Sequence, residues 1–180
     1  MRRLSLSLIN VVMMILTLTA CSGSDQNSPA TLPTESAQTA AVPKITSESV
    51  VKVAVQGVEI PAGGIADAVV RLTIQSGYHV NSNPPSYSYL KATELEMGAT
   101  AGISLKSVSY PRPLTRKFAF ADEPLKVYEG ETQITATLEA SRTAEKGQQS
   151  IPARLRIQAC DDQVCYAPGS IGVLIPVLIK

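Results

Sequence analysis

Tryptophan is absent from these 180 residues, phenylalanine occurs twice and histidine once. Any core therefore has to be assembled from aliphatic side chains, chiefly Val, Ile, Leu and Ala, with 6 Tyr in support. The metal chemistry open to the chain is narrow. With 3 Cys and 1 His, neither a four-cysteine zinc site nor one of two cysteines and two histidines can be built. Nor is there a surplus of charge: 16 basic and 15 acidic side chains leave a formal +1. No run of Lys or Arg concentrates it, so a phosphate backbone has no electrostatic reason to bind, and no nucleic acid partner is expected. A Gly-rich phosphate loop, a G-x-S-x-G elbow and an H-E-x-x-H sequence are also missing, which leaves hydrolase and nucleotide-binding chemistry without support. What is present is 44% apolar and 17% charged, a balance that suits one globular domain rather than a disordered polymer.

The beginning of the chain reads as an address. Arg2 and Arg3 precede a run from Leu4 to Thr19 whose one strongly polar residue is Asn10, the pattern of an export signal and short for a transmembrane span. The run closes on Leu18-Thr19-Ala20-Cys21, which resembles a bacterial lipobox; an ordinary secretory signal with a chance Cys is the alternative. On the lipobox reading residues 1–20 are removed and Cys21 is acylated, so the protein is held to a lipid bilayer by acyl chains rather than by charge. Ser22, where an Asp could stand, points to onward transport to an outer membrane. The expected location is the bacterial cell envelope, facing the periplasm. Ser, Thr, Ala, Pro and Gln then dominate as far as Ile45, so residues 21–45 read as the lipidated Cys and a flexible tether.

Residues 46–180 read as strands. Val51, Val53 and Val55 alternate with polar or small neighbours, as do Val70, Leu72 and Ile74, Leu95 and Met97, Ile103 and Leu105, Ile134, Ala136 and Leu138, and Leu155, Ile157 and Ala159. This is the period of half-buried strands. Turn signals such as Pro61-Ala62-Gly63-Gly64, Asn83-Pro84-Pro85 and Glu129-Gly130 separate the runs. Some seven or eight short strands with connections too short for crossovers imply an all-β, immunoglobulin-like antiparallel β-sandwich, with a small barrel as the alternative.

Cys160 and Cys165 carry the chemistry. They flank the turn-prone Asp161-Asp162-Gln163-Val164. Folded as a hairpin, this segment makes the two cysteines cross-strand neighbours, with α-carbons about 4.5–5.5 Å apart and within disulfide reach. Export from the cytosol permits the bond. Asp161 and Asp162 beside Cys160 disfavour a thiolate, so the pair suits being attacked by another protein's thiolate better than attacking. A purely structural staple and a redox-active pair both remain open on these grounds. Adjacent turn aspartates usually do no more than form the turn. His79 together with a cysteine pair could in principle bind copper or zinc, but a single His in an alternating strand is more often packed or hydrogen-bonded, and no metal or other cofactor is expected.

The segment Gln158 to Pro168, together with Gly77-Tyr78-His79-Val80-Asn81-Ser82-Asn83-Pro84-Pro85 and Phe120 to Tyr128, resembles the amino-terminal domain of the thiol:disulfide interchange protein DsbD. The resemblance spans the chain from about Ile45 to Lys180. It implies an immunoglobulin-like sandwich that receives electrons from a thioredoxin-like domain and delivers them to extracytoplasmic disulfide-containing client proteins, a reductase-type interchange. Cys160 and Cys165 would be its redox pair, with Cys165 meeting the partner. The loop from Phe120 through Asp122 to Glu123 would be the flap over the pair, Phe120 its shielding ring, and Tyr128 and Tyr166 would line the site. Packing alone accounts for either tyrosine, and Phe118 and Phe120 read by themselves as ordinary aromatics. Four residues separate the cysteines, whereas some members of the family have five. With the chain read to Lys180, the electron donor, thioredoxin-like or membrane-embedded, is expected in trans. The competing expectation is a non-catalytic binding or assembly lipoprotein with a structural Cys160–Cys165 bond.

Overall fold

The computed structural model describes residues 44–98 and 100–180; the signal segment, Cys21 and nearly all of the tether lie outside the described residues. After a single 3-10 turn at Glu48–Val50 come twelve strands: β1 (Val51–Val55), β2 (Val58–Ile60), β3 (Ile65–Ile74), β4 (His79–Asn81), β5 (Glu94–Met97), β6 (Ile103–Ser109), β7 (Leu114–Arg116), β8 (Leu125–Tyr128), β9 (Glu131–Ala140), β10 (Gly147–Ile157), β11 (Ala159–Cys160) and β12 (Gly169–Ile179). They form three four-stranded sheets in the orders β1-β3-β9-β6, β2-β12-β10-β5 and β11-β4-β8-β7.

The alternation read from the sequence sets the packing. β3 turns Ala68, Val70, Leu72 and Ile74 inward and β9 turns Ile134, Ala136, Leu138 and Ala140; β10 and β12 answer from the second sheet with Ile151, Leu155, Ile157, Ile175, Val177 and Ile179. All of these belong to one apolar cluster. Each fully buried Leu or Ile contributes about 1.5–3 kcal/mol relative to exposure, so the first two sheets supply most of the stability. The result is the immunoglobulin-like sandwich, with more strands than the alternating runs indicate and one exception to antiparallel pairing. β2 runs parallel to β12, which the short-connection reasoning did not anticipate because these two strands are joined by nearly the whole domain rather than by a single turn.

The third sheet is small and two-sided. Residues opposed across neighbouring strands point to the same face. Val80 opposes both Tyr128 and Ala159, and this face joins the main core. The other face carries His79, Cys160, Leu125 and Val127. There Leu125, Val127 and Phe118 make a second, minor cluster against which Tyr87, Leu90 and Ala121 pack. Gly130, at φ 58°, takes a left-handed turn that side chains rarely adopt and returns the chain from β8 to β9 in the first sheet.

Candidate functional site

β10 and β12 pair without interruption from Gly147–Ile179 to Ile157–Gly169. Between them the chain leaves the second sheet, and Gln158 makes the transfer. Its Oε1 accepts from Asn81 Nδ2 at 3.1 Å and from the Lys91 backbone N–H at 3.0 Å, while its Nε2 donates to the Tyr166 carbonyl at 3.2 Å. Leu155, Ile157 and Ala159 are all buried, as their alternation suggests, but Ala159 already belongs to β11 in the third sheet.

From there the expected hairpin forms. The Tyr166 N–H donates to the Ala159 carbonyl at 2.8 Å and the Asp161 N–H to the Val164 carbonyl at 2.9 Å. Cys160 and Cys165 face one another and are bonded, with an S–S distance of 2.02 Å and α-carbons 3.9 Å apart, closer than a plain antiparallel pair. Asp161 builds the turn. Its Oδ1 accepts the Gln163 and Val164 N–H groups at 2.8 Å and its Oδ2 accepts the Tyr166 hydroxyl at 2.5 Å. The Tyr166 hydrogen bond, reinforced by the two N–H groups, holds the Asp161 carboxyl below its ordinary range, and the same bond pushes the Tyr166 hydroxyl up to about 12.

The base of the hairpin is fastened by a residue that no motif marks. Ser47, fully buried, donates to the Ala167 carbonyl at 2.6 Å and accepts the Ala159 N–H at 3.0 Å. Next to it, Glu48 accepts the Ser170 N–H at 3.0 Å, and its carboxylate lies where a side chain on Gly169 would have to go.

The two sulfurs are not equivalent. Cys160 is 0% exposed, whereas Cys165 is half-buried and adjoins the exposed Val164 at the hairpin tip. On its other side Cys160 opposes His79, so His79, Cys160 and Cys165 form one row across three backbone segments. The His79 ring stacks on Phe118, centroids 4.0 Å apart and planes 15° apart. Phe118 in turn stacks on Phe120 at 5.4 Å. The ring placed against the row is thus buried Phe118, while Phe120 is 38% exposed. Both sit in the loop between β7 and β8, where Lys117 Nζ donates to the Ala121 carbonyl at 2.8 Å and also to that of Asp122. Asp122 itself is exposed. Tyr128 lies elsewhere: it is buried in the main core, with its hydroxyl accepting the Asn83 N–H at 3.0 Å. Tyr166 is half-buried at the hairpin, its ring 6.0 Å from that of Tyr78. The structure therefore gathers Cys160, Cys165 and Tyr166 at one hairpin and adds His79, Phe118 and Ser47. Register brings His79 in across the sheet from Cys160, a relation no local pattern reveals; Phe118 was visible only as one of two neighbouring aromatics.

A cleft of about 540 Å³ opens beside this row, lined by the turn before β4, His79, Leu114, Phe118, Glu129 and Asp162. Burial pushes the His79 imidazole below its ordinary value, against the opposing pull of the acidic Glu129, Asp162 and Asp161.

Fold and site together define an immunoglobulin-like sandwich that carries a hairpin disulfide with one cysteine buried and the other half-buried, and an aromatic loop packed on the His79 that opposes the buried one. The chain belongs to the family of the N-terminal domain of the thiol:disulfide interchange protein DsbD, whose model matches residues 46–174. Among solved structures it is similar to the N-terminal periplasmic domain of ScsB from Proteus mirabilis, at 12% identity and a TM-score of 0.53, over 74% of this chain and 49% of that one. The chain thus spans about half the length of that structure. It is also similar to the seventh ScaB type I cohesin from Pseudobacteroides cellulosolvens, at 11% identity and a TM-score of 0.41, over 72% of this chain and 92% of the cohesin. No curated protein matches the chain by sequence. Family membership and the Cys160–Cys165 bond support a thiol–disulfide exchange module.

Proposed function

We propose that the protein is a lipid-anchored relay of reducing equivalents in the bacterial cell envelope, taking electrons from a thioredoxin-like or membrane-embedded donor and passing them to extracytoplasmic disulfide-containing proteins. The observation that carries this reading is the asymmetry of the bonded pair, Cys165 half-buried at a hairpin tip and Cys160 sealed beneath it. An incoming thiolate meets Cys165 first. The bond from its sulfur to Cys165 forms as the Cys160–Cys165 bond breaks, and the bonding pair stays on Cys160. The donor's second thiolate then attacks its own sulfur in the mixed disulfide and releases Cys165. The donor dithiol becomes a disulfide, and two electrons and two protons are transferred to the pair. Delivery to a client runs through the same steps in reverse. The acylated Cys21 and the tether of residues 21–45 would keep this exchange at the membrane surface, free to reorient between donor and client.

The test is to mix the oxidised full chain with a reduced thioredoxin-like protein lacking its resolving Cys. An adduct that maps to Cys165 and is lost in Cys165→Ser supports the relay. Cysteines that stay inert under native conditions, or a reduction potential below about −300 mV, favour a structural staple. Mass measurement of the N-terminal peptide after expression in a bacterium tests the anchor, with diacylation at Cys21 expected and an unmodified Cys21 excluding it.

A further inference from the structure

Opening the disulfide leaves a problem at Cys160 that the exchange scheme does not solve. When Cys165 is attacked, the electron pair of the broken bond remains on a sulfur that is 0% exposed. A buried thiolate is costly, and the acidic surroundings make it costlier, because Asp161 and Asp162 follow Cys160 directly and Glu129 lines the cleft beside the neighbouring His79. Of these, Asp161 is engaged by three donors within the hairpin, and Glu129 is paired with Arg116, whose Nε lies 3.1 Å from it. Neither arrangement supplies a proton or an N–H group to the Cys160 sulfur.

One side chain in the row is placed to do so. His79 opposes Cys160 on the side away from Cys165, and residues directly opposed in an antiparallel pair have β-carbons about 4.5–5.5 Å apart on the same face. The ring is 98% enclosed, with 2% exposure. Its Nε2 is buried and has no hydrogen-bond partner among the described residues. Leaving a buried polar atom without a partner is destabilising. Such an atom calls for a reason, and a redox role is a recognised one. In the disulfide both sulfurs are bonded and accept hydrogen bonds weakly; a thiolate accepts them strongly. Phe118 stacked at 4.0 Å fixes the ring plane, and the cleft lined by His79 gives the ring a route to solvent protons.

We infer that His79 is the hydrogen-bond and proton donor to the sulfur of Cys160 when the disulfide is opened. An imidazolium hands its proton to that sulfur and is reprotonated through the cleft. A neutral imidazole holds the thiolate by its N–H until a proton arrives from solvent. Burial favours the neutral form at neutral pH, with Glu129, Asp162 and Asp161 pulling the other way. The inference deepens the relay reading and rests on it only for its biological use, since the chemistry at Cys160 is the same for any thiol.

The experiment therefore uses dithiothreitol, which needs no protein docking. In the full chain purified in detergent, His79→Phe keeps the stack on Phe118 and removes the donor, whereas His79→Gln keeps an N–H. Measured as thiolate absorbance in a Cys165→Ser background, the Cys160 pKa should rise by about one to two units in His79→Phe. Reduction of the intact disulfide should then slow by about three- to tenfold, because a leaving thiol of higher pKa departs more slowly. His79→Gln should stay within about threefold of the parent. Unchanged pKa and rate in His79→Phe, or His79→Gln as slow as His79→Phe, overturns the inference. If His79→Phe loses its strand circular dichroism, the Cys160 pKa of the Cys165→Ser parent decides. Burial among acids alone would place it above the ordinary value of about 8.5, so a value above that overturns the donor role and a value at or below it supports the role. A chain that behaves as expected with dithiothreitol yet forms no adduct with a thioredoxin-like protein would sink the relay and leave the role of His79 standing.

Discussion

The paired bodies of β10 and β12 and the excursion that joins them, residues 158–168, are built on different principles. The two strands pair over their full length and bury Ile151, Leu155, Ile157, Ile175, Val177 and Ile179 in one aliphatic core. The excursion adds only Ala159 and Tyr166 to that core. It is held by point contacts from Gln158, Ser47 and Asp161, and by one covalent bond. Stability and reactivity are thus carried by adjacent stretches of one chain, and opening the bond need not open the sandwich.

That separation can be broken or sharpened by experiment. The largest effect belongs to the body. Leu155→Ala, at a fully buried site, should cost about 2–5 kcal/mol in urea unfolding while leaving the rate of disulfide reduction in the folded protein unchanged; a faster reduction would show that the two stretches are coupled. Ser47→Ala should come next, at about 1–3 kcal/mol, because it leaves the buried Ala159 N–H without an acceptor. Unlike Leu155→Ala it should also speed reduction, since the hairpin base loosens. Reducing the bond itself should lower stability by only about 2 kcal/mol, the chain-entropy value for so short a loop, with strand circular dichroism intact; loss of the sheet signal would refute the separation. The smallest effect is the acid response of the hairpin. The Asp161 carboxyl is held below its ordinary 3.8, so its contribution is whole above that value and fades as pH falls through the lower folded value. Hydrogen exchange at the Val164 N–H should accelerate over that acid window, and Tyr166→Phe should move the acceleration to higher pH.

Much of the body was legible in the sequence and the excursion only in part, for physical reasons. Val51, Val53 and Val55, or Ile134, Ala136 and Leu138, alternate because one face of each strand is wet, and that period survives in the bare sequence. β12 hides its strand character behind Gly169, Gly172 and Pro176, and behind the unbroken Val173-Leu174-Ile175. Pro176 is tolerated because the pairing with β2 begins one residue later, at Val177; Pro152 likewise sits one residue before the pairing of β10 with β5 begins at Ala153. At the site, the cysteine hairpin could be read from its spacing and turn residues. Its neighbours could not. His79 meets Cys160 through the register of β4 on β11, a contact between distant parts of the chain, and whether Phe118 or Phe120 faces the row depends on how the loop after β7 turns.

The anchoring of Ser47 and Glu48 has a geometrical corollary. The described chain enters the sandwich at the very spot where the redox loop rejoins β12, stitched there through Ala159, Ala167 and Ser170. Whatever docks over Cys165 must share that pole of the molecule with the incoming polypeptide. The first described residues and the cysteine hairpin therefore share one end of the domain, so a visitor to Cys165 would meet the segment carrying Ser47 and Glu48 in the same region.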